Sequence, residues 1–455
     1  MQHKRVGVIG GGPVGLVTAT ILASWGTRTT LIERDDRRLH ALEAGKAPFF
    51  EPGLDEVLKE QLENEFLVVG GDLSVLSASP VTFICVGTPP GPDGTPDLGD
   101  LERATADAAE VVPEQGVVAI KSTVPPGTTS RLNAKIAESR RDIFFVSCPE
   151  FLREGEALYD MRSPSRVVVG GIDPQANKRV ADLFAPSEAP VIFTSPTGAE
   201  LIKYGSNAFL ATKISFVNEL ANLCDLVGAD VTEVANGIGA DPRIGRAFLN
   251  AGLGFGGSCF PKDVRGLEEA GTTRGYTSWL LKACTDINAQ QRYRFAAKIR
   301  SALSGSVAGS RIAVLGLSFK PGTDDLRQAP ALDIVRSLQR DGAHVVATDP
   351  VAILAAASMI PEVDLIPDPY ECVRDADALV LATEWPEYLA LNWARIRDLM
   401  RGNVILDGRN VLDRKLLSSL GFWCYGVGRP VVPPSLGDEQ DRVPHVATQQ
   451  SVESR

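Results

Sequence analysis

The chain has 455 residues, of which 44% are hydrophobic and 23% charged, and its formal net charge is -11. At about 150 residues per domain this length predicts roughly three folding units, and the composition excludes a disordered or fibrous protein. Basic residues are dispersed among the acidic ones, which excludes nucleic acid as a partner, because binding it requires a concentrated basic surface. An anionic ligand would have to be held by local lysines, arginines or helix N-termini.

The N-terminal segment, residues 1–23, begins basic and turns apolar, as a secretory signal does. Its apolar part is interrupted by Gly10, Gly11, Gly12 and Gly15, so we interpret it as part of a folded domain. No other stretch has the length of a membrane span, and no membrane partner is expected. The seven cysteines form no CxxC pair, which predicts reduced thiols in the cytoplasm, and the four dispersed histidines predict no metal site.

A glycine-rich turn near the N-terminus predicts a dinucleotide site. Residues 5–35 read as strand, turn, helix and strand, and the pattern Gly10-x-Gly12-x-x-Gly15 falls where the first strand meets the helix. The first glycine allows the tight turn and the second lets a pyrophosphate approach the backbone. The third lets the helix pack on the strand.

The acidic residue that ends the second strand bears on the choice of dinucleotide. Glu33 follows Gly15 by 18 residues, at a position where a carboxylate binds the ribose hydroxyls and repels a 2′-phosphate. NAD is therefore favoured. Arg34 and Arg38 leave NADP open, because arginine can accept the additional phosphate.

Three more short apolar runs continue the β/α alternation: VTFICVGTP (81–89), GVVAIKSTVPPGT (116–128) and IFFVSCPEFLREGEA (143–157). Each run precedes small or polar residues, as in parallel strands whose carboxyl ends carry the site. The polar residues expected at this edge are Thr88, Thr123, Glu150 and Glu154.

A long stretch in the middle of the chain, residues 197–228, has apolar residues at helical spacing. It predicts a central helix that joins two domains and packs against a second subunit. Lys203 and Asn207 lie four residues apart and so share one face of this helix.

Near residue 310 the alternation of strand and helix starts again. The three-glycine pattern is missing, so no second dinucleotide is expected, but Lys320 and Arg327 in the first turn suggest an anionic ligand. Arg409 ends a later strand. The segment 431–455 is rich in proline, glutamine and charge, which predicts a disordered tail.

The segment GFGGSCFPKD, residues 254–263, surrounds one thiol with glycines. Glycines let ligands approach the sulfur and leave backbone amides free. Pro261 suits the first turn of a helix, so Cys259 would lie beside a helix N-terminus, where the thiolate is favoured. Lys262 and Lys203 would add to this effect. We interpret Cys259 as a nucleophile, and Cys85, Cys224 and Cys284 as small buried hydrophobic residues.

Four long motifs resemble those of the UDP-glucose and GDP-mannose dehydrogenase family: PEFLREG (149–155), DPRIGRAFL (241–249), GFGGSCFPKD (254–263) and FKPGTDDLRQAP (319–330). The resemblance extends from about residue 4 to about residue 430 and is nearest to the UDP-glucose branch. It implies NAD-dependent oxidation of a primary alcohol to an acid. Two hydride removals are needed, and a thiolate at Cys259 would carry the sugar as thiohemiacetal and then thioester, which water hydrolyses.

The resemblance assigns catalytic roles to Cys259 as nucleophile, Asp263 and Thr123 on the water, and Lys203 and Asn207 on oxygen charge. The residues expected at NAD are Gly10, Gly12, Val14, Gly15, Glu33, Arg38, Thr88, Thr123, Glu154, Lys262 and Arg327. Those expected at the nucleotide sugar are Glu150, Phe151, Leu152, Arg153, Glu154, Lys203, Asn207, Arg243, Phe248, Leu249, Asn250, Ala251, Gly252, Gly256, Lys320 and Arg409. Arg243 resembles an arginine that reaches the substrate of a neighbouring subunit, which implies a homodimer or a higher homo-oligomer.

Together these observations predict an α/β fold with two Rossmann-like, doubly wound parallel-sheet domains joined by a long central helix and a helical middle region. The expected domains are an NAD-binding domain (1–196), a central helical and dimerisation domain (197–300), a UDP-sugar-binding domain (310–430) and the tail (431–455).

Two departures from the family pattern leave the substrate open. Pro13 replaces the usual aromatic residue in the glycine turn, and Cys148 replaces the asparagine that normally precedes PEFL. The expected substrate is UDP-glucose, with dTDP-glucose or GDP-mannose as alternatives.

Three rival classes are less consistent with the sequence. A two-electron 3-hydroxyacid dehydrogenase would need neither the Cys259 motif nor a second β/α domain. A cysteine hydrolase would need a Cys–His pair, and no histidine lies in a suitable motif. A non-enzymatic NAD-binding scaffold would have no chemical reason to keep Thr123, Lys203, Asn207, Cys259 and Asp263 together.

Overall fold

The computed structural model describes residues 4–91 and 95–435. The chain divides into two compact units. The first unit comprises Met1–Phe216, Phe255–Asn288 and Ser318–Ala329, and the second comprises Val217–Gly254, Ala289–Leu317 and Pro330–Arg455.

The strands are β1 (Arg5–Ile9), β2 (Arg28–Ile32), β3 (Leu67–Gly70), β4 (Val81–Ile84), β5 (Val117–Ile120), β6 (Phe144–Ser147), β7 (Val167–Gly171), β8 (Val191–Thr194), β9 (Arg311–Leu315), β10 (His344–Thr348), β11 (Asp364–Leu365), β12 (Ala378–Leu381), β13 (Val404–Asp407) and β14 (Trp423–Gly426).

The helices are α1 (Pro13–Ser24), α2 (Asp36–Glu43), α3 (Leu54–Glu63), α4 (Gly99–Val111), α5 (Thr128–Ile136), α6 (Ala157–Arg162), α7 (Pro174–Ala181), α8 (Pro196–Val227), α9 (Val231–Gly239), α10 (Phe260–Thr272), α11 (Trp279–Ala302), α12 (Pro330–Arg340), α13 (Ile353–Met359), α14 (Pro369–Cys372), α15 (Pro386–Leu389), α16 (Trp393–Leu399) and α17 (Arg414–Ser419). Short 3-10 helices span Leu73–Ala78 and Ala185–Ser187.

The first unit is built on an eight-stranded sheet with the order β3-β2-β1-β4-β5-β6-β7-β8. Strands β4 and β5 are buried along their whole length, which accounts for their uninterrupted apolar sequences. The strand order changes direction between β1 and β4: β2 and β3 follow β1 toward one edge of the sheet, whereas β4 to β8 follow one another toward the other edge. In such a sheet a ligand binds beyond the carboxyl ends of the strands at this switch point.

The far edge of this sheet differs from the expected all-parallel pattern. The pair β6–β7 is antiparallel, with Ser147 opposite Gly170, and β8 then pairs with β7 in parallel. The sequence did not predict β7 and β8 as strands of this sheet. Strand β8 lies at the edge and is largely exposed, so it lacks the buried apolar signature of the inner strands.

The second unit contains a six-stranded parallel sheet with the order β11-β10-β9-β12-β13-β14. Its switch point lies between β9 and β12. Gly316 follows β9 with φ of +94°, and a Cβ there would lie 2.4 Å from Thr383 Cβ, so only glycine fits this turn. The predicted second Rossmann-like domain is confirmed.

The predicted central helix is also confirmed, as α8. It is 32 residues long and begins in the first unit and ends in the second. Of the segment predicted to be a disordered tail, residues 431–435 are described, and Val432 exchanges backbone hydrogen bonds with Cys424. Residues 436–455 lie outside the described part of the chain. Among the described residues, no helix is long and apolar enough to cross a membrane.

Candidate active site

The glycine turn after β1 has the shape that a dinucleotide requires. Gly10 has φ of +107°, and a Cβ there would lie 2.8 Å from the carbonyl oxygen of Cys85. A Cβ on Gly15 would lie 1.8 Å from the carbonyl oxygen of Gly10, so helix and turn are in close contact. Gly12 is the N-cap of α1, with no side-chain cap and no atom within 4 Å of where its Cβ would lie. The first amides of α1 are therefore accessible to a pyrophosphate.

Glu33 lies beside this turn and is buried. Its Oε2 accepts a hydrogen bond from the Gly11 amide at 2.9 Å, and its Oε1 accepts from the amides of Arg34 and Asp35. The carboxylate is thus fixed at the carboxyl end of β2, where ribose hydroxyls can reach its remaining lone pairs. Arg34 forms an ion pair with Asp107. These residues fit NAD.

Other residues expected at the cofactor, Thr88, Val14 and Arg38, differ in burial. Thr88 is buried, and its hydroxyl donates to the carbonyl oxygen of Thr123 at 3.0 Å, which joins the loops after β4 and β5. Val14 packs partly against the core, whereas Arg38 is exposed on α2.

Lys203 forms the centre of the candidate catalytic site in the first unit. It is buried on α8, and its Nζ lies 3.0 Å from Oε1 of Glu150, which is also buried. The same ammonium lies 5.3 Å from the centroid of the Phe151 ring. Burial opposes the charge, but Glu150, Cys259 and Asp263 outweigh it and raise the pKa of Lys203, so its ammonium remains charged.

Asp263 forms a second buried charged group beside the first. Its carboxylate accepts hydrogen bonds from Asn207 Nδ2 and from Lys262 Nζ, both at 2.6 Å. Only 1% of Asp263 is exposed. Lys203 and Asn207 share one buried face of α8, as expected from their spacing. In this structure Lys262, expected at NAD, binds Asp263.

Cys259 is the N-cap residue of α10, with Pro261 in the first turn, as predicted. The prediction that this position favours the thiolate is wrong. Although Cys259 is partly exposed, the surrounding protein raises the pKa of its thiol to about 11, because desolvation, Glu150 and Asp263 outweigh the attraction of Lys203. The thiol is therefore neutral near pH 7. Cys85, Cys224 and Cys284 are buried, as expected.

A third carboxylate, that of Glu154, is linked to the thiol through Ser258. The Ser258 hydroxyl donates to Oε1 of Glu154 at 2.8 Å and lies 3.5 Å from the Cys259 sulfur. Arg327 lies 3.6 Å from Glu154 and 2.7 Å from Asp325. Burial and the charge of Asp325 raise the pKa of Glu154 to about 7, so its carboxyl changes charge near neutral pH.

The structure explains the glycines around Cys259. Gly257 has φ of +80°, and a Cβ there would lie 2.8 Å from the Phe319 ring, so a side chain would collide with the FKPG segment. Asn288 fixes the start of the loop: its Oδ1 accepts from the amide of Phe255 at 2.8 Å and its Nδ2 donates to the Phe255 carbonyl at 3.0 Å. The thiol is thus held by a rigid backbone.

Several residues of the first unit that are expected at the substrate contact neighbouring residues of the same unit. Leu152 donates its amide to Glu150, and Arg153 forms ion pairs with Glu156 and Asp160. Lys320 lies over the Phe319 ring at 5.6 Å, and burial lowers its pKa. The first unit also contains Phe151 and Gly256.

The segment Phe248–Gly252, expected at the nucleotide, belongs to the second unit. Phe248 has a left-handed backbone with φ of +64°. The Gly252 amide donates to Asn218 at 2.9 Å, and its carbonyl accepts from Gln291 at 2.9 Å. Leu249 and Ala251 are buried, and Asn250 is exposed.

The two arginines expected at the substrate in the second unit differ in exposure. Arg409 follows β13 and is mostly buried; its Nε donates to the Ala382 carbonyl and lies 3.1 Å from Glu384. The Arg243 side chain is 87% exposed and pairs with Asp241.

Four residues of the first unit were missed from the sequence. Ser258 directly precedes the predicted nucleophile, and a hydroxyl at that position is a signal that the sequence does carry. Arg166 lies 3.9 Å from the Phe151 ring centroid and donates to Ser206. Glu51 and Glu200 are buried carboxylates that no sequence pattern indicated.

Profiles of one family match most of the chain. They are described as the UDP-glucose/GDP-mannose dehydrogenase family, with the NAD binding domain at residues 4–188, the central domain at 197–290 and the UDP binding domain at 313–414. The chain therefore belongs to the UDP-glucose/GDP-mannose dehydrogenase family.

Two named relatives are similar over nearly the whole chain. UDP-glucose 6-dehydrogenase TuaD of Bacillus subtilis is 41% identical over 434 residues, covering 94% of this chain and 94% of the relative. UDP-glucose 6-dehydrogenase of Pseudomonas aeruginosa is 42% identical over 442 residues, covering 94% and 98%.

Two solved structures share the fold. A UDP-glucose dehydrogenase from Pyrobaculum islandicum matches with a TM-score of 0.84 at 37% identity, covering 90% of this chain and 95% of the relative. A UDP-D-ManNAc dehydrogenase from Pyrococcus horikoshii matches with a TM-score of 0.83 at 30% identity, covering 93% and 99%.

Proposed function

We propose that this protein is an NAD-dependent oxidoreductase that oxidises the C6 primary alcohol of UDP-glucose to the carboxylate of UDP-glucuronate. The observation that carries the proposal is the position of Cys259 at the N-cap of α10, beside a buried lysine, asparagine and aspartate. A simple alcohol dehydrogenase needs no thiol. A four-electron oxidation does, because an aldehyde must first gain a nucleophile before it can lose hydride.

The two oxidations use the buried cation next to the thiol. Bound NAD would accept one hydride from C6 in each of two rounds. The first round releases one proton and leaves an aldehyde, whose oxygen Lys203 and Asn207 can stabilise by donating hydrogen bonds. The Cys259 sulfur then adds to the aldehyde carbon, its proton moves to the oxygen, and a thiohemiacetal results. Loss of the second hydride and of the hydroxyl proton gives a thioester.

Hydrolysis completes the reaction. Water adds to the thioester carbonyl, the carbon–sulfur bond breaks, and the sulfur leaves as thiolate and regains a proton. Asp263 accepts two hydrogen bonds and acts electrostatically on the Cys259 thiol, which suits its carboxylate to orient or deprotonate this water, with Thr123 as a further partner. The balanced sum is one alcohol, two NAD and one water giving one carboxylate, two NADH and three protons.

The family resemblance assigns the nucleotide half of the substrate to Phe248, Leu249, Asn250, Ala251, Gly252, Gly256, Lys320 and Arg409. A UDP binding domain profile matches residues 313–414, and the UDP-glucose 6-dehydrogenases named above support uridine and glucose over the alternatives. Glu150 to Glu154 would contact the hexose.

For NAD, Gly10 to Gly15 and Glu33 would hold the pyrophosphate and ribose, with Thr88, Glu154 and Arg327 nearer the reacting ring.

Self-association and compartment complete the proposal. Phe209, Phe216 and Leu223 follow one another at seven-residue intervals on α8 and are 66%, 49% and 52% exposed. Two helical turns separate them, so they form an apolar stripe suited to the same helix of a second copy. We infer at least a homodimer, in which Arg243 of one subunit would reach the substrate bound to the other.

All seven cysteines are free, which supports a reducing cytoplasm.

The experiment that tests the substrate is a comparison of kcat/KM for UDP-glucose, dTDP-glucose and GDP-mannose, each with NAD and with NADP. We expect UDP-glucose with NAD to be preferred over GDP-mannose by about a hundredfold or more, because a pyrimidine site leaves a purine's polar groups unpaired. NADP should react poorly, because its 2′-phosphate would face the Glu33 carboxylate.

A preference for dTDP-glucose would leave the proposed reaction unchanged and would identify thymidine instead of uridine as the nucleoside of the substrate. A preference for GDP-mannose would contradict the assigned branch, and no NADH with any sugar nucleotide would contradict the proposed activity. The matched control is Cys259→Ser with UDP-glucose, which should form no acid above background.

A further inference from the structure

Two buried carboxylates outside the proposed catalytic set hold the backbone in the same way. Each accepts hydrogen bonds from the amides of residues n and n+2, where residue n is a glycine with positive φ: Gly127 with φ of +98° and Gly155 with φ of +80°. Both glycines lie at or near the start of a helix, α5 or α6. At these positions helix amides have no partner within the helix and must be satisfied from elsewhere.

Glu200 holds the first of these turns. Its Oε2 accepts from the Gly127 amide at 2.5 Å and its Oε1 from the Thr129 amide at 2.7 Å, and only 2% of the residue is exposed. Glu200 lies on α8 one turn before Lys203. Gly127 lies four residues after Thr123. The carboxylate therefore ties the loop that carries Thr123 to the helix that carries the catalytic lysine.

Glu51 holds the second turn. Its Oε2 accepts from the Gly155 amide at 2.7 Å and its Oε1 from the Ala157 amide at 2.8 Å. A Cβ on Gly155 would lie 2.5 Å from the carbonyl oxygen of Gly322, so this turn also touches the segment that carries Lys320. Glu154, whose carboxylate binds Ser258 beside the thiol, directly precedes Gly155.

We propose that Glu200 and Glu51 are positioning residues of the reaction proposed above, each holding one loop of the site. Glu200 sets the place of Thr123 and so acts on hydrolysis. Glu51 sets the place of residues 150–155 and so acts on hexose binding. The inference rests on the proposed function, but neither residue is assigned a contact with substrate or NAD.

Glutamine is the informative substitution at both positions. It matches glutamate in size, but it has one acceptor oxygen instead of two, and its amide hydrogens would face the second backbone amide. Glu200→Gln and Glu51→Gln therefore each lose a buried hydrogen bond from a backbone amide without creating a cavity. The loop is released, whereas the core packing is kept.

The test combines steady-state kinetics with hydrogen–deuterium exchange on the full chain. Glu200→Gln should lower kcat about tenfold while kcat/KM for UDP-glucose stays within about twofold, because hydrolysis follows the oxidations. Glu51→Gln should raise KM about tenfold with little change in kcat. Exchange at the amides of 127 and 129 should accelerate only in Glu200→Gln. Exchange at 155 and 157 should accelerate only in Glu51→Gln.

Asp173→Ala is the control for a loss of stability alone. Asp173 accepts from the amide of Ala176 as the N-cap of α7, and alanine cannot accept this hydrogen bond, so the variant should have a lower melting temperature while kcat and KM stay unchanged.

The inference would be overturned if both glutamine variants lost kcat only in proportion to their folded fraction, or if kinetics and exchange matched the wild type. A wild-type enzyme inactive on UDP-glucose would instead contradict the proposed function, and the exchange pattern would still report whether each carboxylate holds its loop.

Discussion

Cys259→Ser is expected to abolish acid formation, lowering it by a factor of about a thousand or more, because a serine hydroxyl is a far weaker nucleophile than a thiolate. NAD binding should be unchanged, since the glycine turn and Glu33 do not involve this residue. The measurements are acid formed from UDP-glucose per enzyme and the dissociation constant of NAD.

Cys224→Ser is the control for this substitution. Cys224 is a buried cysteine of the second unit for which we propose no catalytic role, and its serine variant should keep wild-type turnover. Acid production by Cys259→Ser at the wild-type rate would remove the thioester route.

Asp263→Asn is expected to slow hydrolysis by a factor of about 100 to 10,000, the usual contribution of a general base, while the two oxidations continue. The expected result is a rapid burst of two NADH per active site followed by slow turnover. A covalent adduct on Cys259 should then accumulate and be detectable by intact mass.

The same substitution should make the thiol more reactive toward iodoacetamide. The Asp263 charge is one of the factors that raise the pKa of Cys259, so its removal should lower that pKa and increase the thiolate fraction at a given pH. Faster alkylation together with slower turnover would show that Asp263 both raises the pKa of the thiol and promotes hydrolysis. A burst lost in parallel with steady-state turnover would contradict its role in hydrolysis.

The fold could be predicted from the sequence where strands are buried on both faces of the sheet. Strands β4 and β5 are covered on both faces and read as uninterrupted apolar runs, and Gly316 and the glycines after β1 mark turns that only glycine can make. The β8 strand is mostly exposed and carries no such signal. The antiparallel pair β6–β7 depends on how the chain returns to the sheet, which local composition does not encode.

The residues of the candidate site could be predicted from the sequence motifs, but the partners of their charged and polar groups could not. Lys203 and Asn207 were placed on one face by their spacing, yet that spacing could not show that Glu150 neutralises the lysine and that Asp263 binds the asparagine. The raised pKa of the Cys259 thiol could not be predicted from the sequence, for the same reason. It depends on how much protein surrounds the sulfur of Cys259, which is set by tertiary packing.

The most direct test of the central claim is the number of NADH molecules formed per sugar nucleotide consumed, measured with the wild-type enzyme, UDP-glucose, excess NAD and an aldehyde-trapping reagent. The account predicts two NADH per uronate and no trapped aldehyde, because Cys259 holds the intermediate between the oxidations. One NADH per substrate with free aldehyde would contradict the covalent mechanism.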